Sequence, residues 1–169
     1  MDSGQAELAS AYLDLQHRYE DLVRRNLAGV FRSTVQGRLV ECNDAMAHML
    51  GYADREALMA IPVVDLYHRS SDRDRFLNDL HGRKQLVNYE AVLKHVNGRP
   101  VHVLENVFIN EVNGRATTID GTLMDITAFR QAEIEQHALL NSYRQLMDRV
   151  RDGILIVRND RVMYANPAA

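Results

Sequence analysis

The sequence predicts an α+β fold: two short strands, a group of short helices, then a three-strand antiparallel meander, flanked by two amphipathic helices. Three observations predict it. Apolar residues recur at alternating spacings of 3 and 4 in residues 5–25 and 128–150. Gly-containing turns at Gln36-Gly37, Asn97-Gly98 and Asn113-Gly114 separate β-rich runs. Between the first hairpin and the meander, helix start and stop signals replace strand alternation.

In the first helix, Leu8, Tyr12, Leu15, Tyr19 and Leu22 form a heptad seam, which pairs with a second chain or docks on its own domain. Gly29–Val35 and Arg38–Cys42 follow as a hairpin. Asn43 fits a helix N-cap before Ala45–Leu50, and Gly51 ends that helix. A short helix is expected at Arg55–Met59, before Pro62. Ser71 and Asp74 then read as a capping pair opening Asp72–Leu80, with Gly82 as its stop.

From Val87 the pattern becomes strand-like: Val87–Val96, Arg99–Asn110 and Arg115–Thr127. Asn97-Gly98 is expected to be a two-residue hairpin loop. That register puts Ala91, Leu93, Leu104 and Phe108 on one face, and Val92, Val101, Val103 and Val107 on the other. Two apolar faces imply two covers: the short helices on one side, a flanking helix or second subunit on the other. The closing helix, residues 128–150, carries Phe129, Ala132, Gln136, Leu139, Tyr143, Leu146 and Val150 as a second seam. It would reach about 34 Å, enough for a connecting rod.

The chain has 169 residues, room for one ordinary domain plus about fifty residues of extra elements. A net charge of −3 provides no broad basic surface, so no nucleic-acid partner is expected. No apolar run approaches the ~18 residues of a membrane span, and Met1-Asp2-Ser3-Gly4 has no signal-peptide character, so no direct membrane contact is expected. Cys42 is the one cysteine, which excludes an intramolecular disulfide and suits a cytoplasmic setting; a longer parent anchored elsewhere is compatible with this.

The sequence also repeats itself. Tyr19–Arg25 aligns with Tyr143–Arg149, and Ala28–Phe31 with Asp152–Leu155. After a one-residue gap in the turn, Arg38–Val40 matches Arg161–Met163, and Asn43–Ala45 matches Asn166–Ala168. The expected organisation is an N-terminal helix at 1–25, a domain at 26–127, a connecting helix at 128–150 and the truncated start of a second domain at 151–169. A lone hairpin is marginal in water, so 151–169 is expected to be disordered or to borrow a partner, the same hairpin of another chain.

These residues, in order, resemble the PAS domain with its C-terminal PAC motif, the sensory-box family. The matching stretches are Gly29–Arg32, Glu41–Met46, Met49–Tyr52, Asp65–Tyr67 with Asp72-Arg73, Asn97-Gly98, and Gly121–Thr127. They cover residues 19–130 and, in part, 143–169. The resemblance implies a five-stranded antiparallel sheet whose helical side encloses a small pocket. It also implies an input module of a bacterial histidine kinase or a cyclic-dinucleotide enzyme, joined to a downstream output domain. Asp125, Ile126 and Thr127 would anchor the joint between the last strand and the output helix. In the local alternative, Thr127 is simply a helix N-cap.

The chain is expected to be non-catalytic: no phosphate loop, nucleophile–base pair or carboxylate cluster is present. Flavin photochemistry needs a cysteine in a different context from Cys42, which reads as a small buried side chain. His68 and His81 flank a helix but sit in polar surroundings, so haem is not expected. In a two-residue loop His95 and His102 share a face, without a third ligand for a metal. His137 lacks the acidic residue and proline that follow a phospho-accepting histidine. Phe31, Met46, Met49, Leu50, Leu66, Phe76, Leu80, Leu93, Leu104 and Leu123 are the expected pocket lining, with no charged group among them. They make either a solid core or a site for a small apolar ligand. The expected function is a homodimeric signal module relaying a change along the helices. The alternatives are a structural dimerisation spacer and the input module of a cyclase or phosphodiesterase.

Overall fold

The computed structural model describes residues 3–168, which form two units divided between Thr127 and Ala128. The expected N-terminal segment includes Met1 and Asp2, which lie outside the described residues.

In the first unit, helix α1 (Ser3–Arg25) is followed by β1 (Gly29–Thr34), β2 (Leu39–Cys42), α2 (Asp44–Met49) and α3 (Arg55–Met59). A 3-10 turn (Val63–Leu66), α4 (Ser70–Arg83), β3 (Gln85–Lys94), β4 (Pro100–Val112) and β5 (Arg115–Asp125) complete it. The strands form one antiparallel sheet in the order β2-β1-β5-β4-β3. This is the α+β architecture the sequence predicts.

The core lies between the sheet's inner face and the short helices. Met46, Ala47, Leu58, Val63, Leu66, Phe76 and Leu80 meet Leu39, Leu86, Leu93, Val101, Val103, Val107, Ile119 and Leu123 there. Local chemistry starts the helices. Asn43 accepts a hydrogen bond from Met46 N at 3.1 Å, and Asp54 from Ala57 N at 2.7 Å, each satisfying an orphan donor of a first turn. Helix α4 departs from expectation: it starts at Ser70 with no side-chain cap, and it stops at Lys84 in the left-handed region (φ 66°), not at Gly82.

The meander also departs from expectation, and one turn explains it. His95 N donates to Arg99 O at 2.9 Å and Gly98 N to His95 O at 2.7 Å, so residues 96–98 form a three-residue loop closed by Gly98 at φ 88°. The partners of Leu93 and Ala91 are therefore Val101 and Val103, not His102 and Leu104. Because side chains alternate, a slip of one residue reverses the face of a whole strand. Val101, Val103, Glu105, Val107 and Ile109 point inward, while Leu104 and Phe108 face outward. Asn88, at φ 53°, adds a bulge in β3 that lets both Leu86 and Tyr89 face the core.

The second unit contains most of α5 (Thr127–Arg149) and an antiparallel hairpin, β6 (Leu155–Arg158) with β7 (Arg161–Ala165). The hairpin's strands are paired, yet Leu155, Ile156, Val157, Val162 and Met163 remain exposed.

Candidate functional site

Between the sheet and the short helices lies a small cavity of about 20 Å³. Phe31, Met46, Leu66, Leu93 and Leu123, all expected there, do line it, with Leu39, Val63 and Tyr67. Leu50, Phe76 and Leu80 are buried in the core and Met49 packs against it, but none of the four lines the cavity. Leu104 belongs to the opposite face of the sheet, for the register reason above.

The lining is also not purely apolar: Arg73 from α4 and Glu105 from β4 complete it. Both are buried, at 5% and 2% exposure. Arg73 lies against the rings of Tyr67 (5.7 Å) and Phe76 (5.3 Å). Burial pushes the Glu105 carboxyl up to about 7, with the Arg73 charge opposing the rise. Arg73 Nη2 and Glu105 Oε2 are each without a hydrogen-bond partner. Sequence reasoning missed this pair because the misplaced loop put Glu105 on the outer face. With the three-residue loop, the same alternation counts Glu105 inward.

The two flanking helices, α1 and α5, meet their neighbouring elements through hydrogen-bonded joints. Asn43, almost fully buried, accepts from Val30 N (3.0 Å) and Met46 N, and donates to Val23 O (3.0 Å) at the end of α1 and to Ala28 O (2.9 Å). Asn166 repeats this in the second unit, accepting from Ile154 N (2.7 Å) and donating to Met147 O (3.2 Å), Val150 O (3.1 Å) and Asp152 O (2.9 Å). At the other end of the sheet, Ile126 N donates to His102 O at 2.8 Å and His102 N to the Thr127 hydroxyl at 2.9 Å. Asp125 Oδ1 accepts from Thr127 N at 2.8 Å. The Thr127 hydroxyl thus ties β4 to the start of α5, which the N-cap alternative did not foresee.

The outer face carries a second feature. Arg32 donates twice to Asp120, at 2.8 and 2.6 Å, and this pair holds the Asp120 carboxyl below its ordinary range. Burial, with the Glu41 carboxylate nearby, raises Tyr19 on α1. Tyr19 and Val23 border a groove of about 450 Å³ over Arg32, Phe108 and Asp120. Leu8, Tyr12, Leu15 and Leu22 on α1 are exposed, Leu22 by 74%, and so are Phe129, Leu139, Tyr143 and Leu146 on α5, Phe129 by 67%.

The remaining candidates for chemistry are scattered. Cys42 is buried, which pushes its thiol up to about 11 and leaves little thiolate at neutral pH. His68 and His81 are exposed, and His81 Nδ1 lies 2.7 Å from Leu77 O. His95 and His102 lie on opposite faces, since His102 pairs with Val92, whereas His95 continues the Leu93 side and crowds Gly51. Among the described residues, no group of three His, Cys, Asp or Glu could hold a metal ion. No helix among the described residues is long and apolar enough to cross a membrane.

Comparison with curated proteins gave no match. Solved structures share the fold at low identity. A sensory box histidine kinase/response regulator from Burkholderia thailandensis aligns with a TM-score of 0.57 at 18% identity, over 76% of this chain and 98% of its own. A PAS domain from Colwellia psychrerythraea aligns at 0.57 and 17%, over 68% and 98%. A domain of a sensory box sensor histidine kinase/response regulator from Geobacter sulfurreducens aligns at 0.53 and 21%, over 66% and 94%. A PAS domain profile matches residues 27–128, and a second one matches residues 141–169, the two copies of the internal repeat. With its sheet, its repeated joints and more than half its length matched, the chain belongs to the PAS domain family.

Proposed function

We propose that the chain is the input segment of a cytoplasmic sensor histidine kinase and works as a homodimer. Its first PAS domain passes a change in its cavity or at its dimer interface through Asp125, Ile126 and Thr127 into α5. From there the change reaches the second PAS repeat and an output domain. Catalysis belongs to that output, and the PAS domain itself is a sensory module.

One observation supports this reading above the others: α5 has no buried residue, yet carries Phe129, Leu139, Tyr143 and Leu146 at heptad spacing. Most helical stability in proteins comes from packing an amphipathic face, so this exposed apolar stripe requires a partner. The partner proposed is the same helix of a second chain, joined by the α1 stripe. A signal then needs only a ligand that binds two arrangements of the helix pair unequally; equal affinity would shift nothing.

Light scattering on the purified chain tests the pairing. The expected mass is twice 19.3 kDa, falling to 19.3 kDa when Leu139 and Leu146 are both changed to Asp. A wild-type chain that stays at the single mass at high micromolar concentration ends the proposal.

A further inference from the structure

Two hairpin turns of the first domain are built from one tetrapeptide, Val96-Asn97-Gly98-Arg99 and Val112-Asn113-Gly114-Arg115. An asparagine before a glycine is open to an internal reaction, because glycine has no side chain to shield its amide nitrogen. Both pairs are exposed, and a Cβ on either glycine would meet nothing within 4 Å. Neither solvent access nor packing therefore separates the two turns; hydrogen bonding does.

In the first turn the reacting groups are engaged. Gly98 N donates to His95 O at 2.7 Å, and the Asn97 side-chain oxygen accepts from Arg99 N at 3.1 Å. Asn97 N donates to His95 Nδ1 at 3.2 Å, and Val96 N to Leu50 O at 2.8 Å, which ties the loop to the end of α2. In the second turn Val112 pairs with Arg115, and Asn113 and Gly114 between them stand at φ 51° and 73°. Among the described residues, Gly114 N has no acceptor and the Asn113 side chain has no partner. A turn held by so few bonds opens locally at low cost.

We infer that Asn113 is a site of spontaneous deamidation in the folded chain, and that Asn97, in the same tetrapeptide, is protected. As the Asn113–Gly114 peptide swings, Gly114 N gives up its proton and attacks Asn113 Cγ. The N–Cγ bond forms, the Cγ–Nδ2 bond breaks, and Nδ2 takes up a proton and leaves as ammonia. Water then opens the cyclic imide at one of its two carbonyls. Opening at one gives aspartate; opening at the other gives isoaspartate, with the main chain running through the β-carbon. No oxidant or reductant takes part, and either product adds one negative charge to a chain of net charge −3. Aspartate keeps the turn, since it tolerates positive φ; isoaspartate lengthens the loop by one backbone atom. The register irregularity between Asn110 and Glu111 lies between this turn and the Ile109–Ile119 pair, so the change should stop short of the core. Neither flanking helix takes part, so the reaction runs whether or not two chains pair.

The test incubates the whole chain at pH 8, folded and in urea. Peptide mapping by mass spectrometry follows the conversion of amide to acid at each asparagine, and enzymatic methylation identifies isoaspartate. In the folded chain Asn113 should convert at least about tenfold faster than Asn97, whose reacting groups must first give up two ordinary hydrogen bonds. In urea the two should convert at similar rates, because their immediate neighbours are identical. Equal rates in the folded chain, or faster conversion at Asn97, overturn the inference. So does a folded Asn113 that stays intact while the unfolded chain converts. A tenfold gap that persists in urea overturns it as well, since sequence and not the turn would then set the rates.

Discussion

Glu105 is the residue whose chemistry and position are most at odds. Its neighbours on β4, Val103 and Val107, are buried aliphatics, and the inward alternation of the strand commits position 105 to the same surface. The carboxyl meets Arg73 from α4, the Tyr67 phenol and Tyr89 from β3, and burial outweighs the attraction of the single cation. The folded-state value of about 7 lies above the ordinary 4.5, so between these pH values the folded chain holds a proton that the unfolded chain has released. Glu105's contribution to stability is therefore complete below about pH 4.5 and falls as pH rises through 7, by about 3 kcal/mol. Asp120 acts in the opposite direction: its carboxyl is held low by Arg32, so its contribution is lost under acid. Urea unfolding at pH 5, 6, 7 and 8 should show stability declining across the range, and Glu105→Gln should flatten the decline. Equal slopes in the two proteins would remove Glu105 as the cause.

At the scale of elements, the chain uses the same dipeptide to make two different turns. Asn113-Gly114 has both residues at positive φ (51° and 73°) and joins Val112 to Arg115 as a two-residue loop. Asn97-Gly98 closes a three-residue loop, in which only Gly98 takes positive φ. Composition predicts a hairpin at both places and is right at both, but loop length is decided by what the flanking residues meet. Here Val96 N donates to Leu50 O at 2.8 Å, so the turn is held by the α2 end of the fold, a contact that local sequence does not reveal. That one residue decides whether Leu104 or Glu105 faces the cavity. The strands and helices were thus legible, whereas the polar half of the site was not. The joints were partly legible. Asn43 reads as an N-cap, and it is one, but three of its hydrogen bonds reach back to backbone carbonyls of residues 23–28. Its equivalence to Asn166 was visible only through the repeat. Asn43→Ala should cost about 2–3 kcal/mol, since a buried side chain serving as cap and clasp leaves several backbone groups unpaired. Asn166→Ala should leave the unfolding of the first domain unchanged, because its partners all lie in the second unit. Denaturant melts of the two variants compare them directly, and equal losses from the first domain would contradict the assignment.

For the whole molecule, the proposed pairing and the stability of the fold draw on different residues. Among the described residues, every member of the hydrophobic core lies between Leu39 and Leu123, and those packed against it lie between Phe31 and Ala116, so no described side chain of α1 or α5 belongs to it. Leu8, Tyr12, Leu15 and Leu22 on α1, and Phe129, Leu139, Tyr143 and Leu146 on α5, are exposed in the single chain. Burying them between two copies removes apolar area from water without touching the core, at about 25 cal/mol per Å² before the entropy of association is met. Such a chain should lose its pairing long before its fold. Changing Leu15 and Leu22 to Asp should therefore weaken dimerisation and strip hydrogen-exchange protection from α1. The amides of Leu80, Val101 and Ile119 should exchange as slowly as before, because they open only with the core. Were those core amides to lose protection together with the helix, α1 would be part of the domain's own stability, and the stripe would belong to folding instead of to partnership.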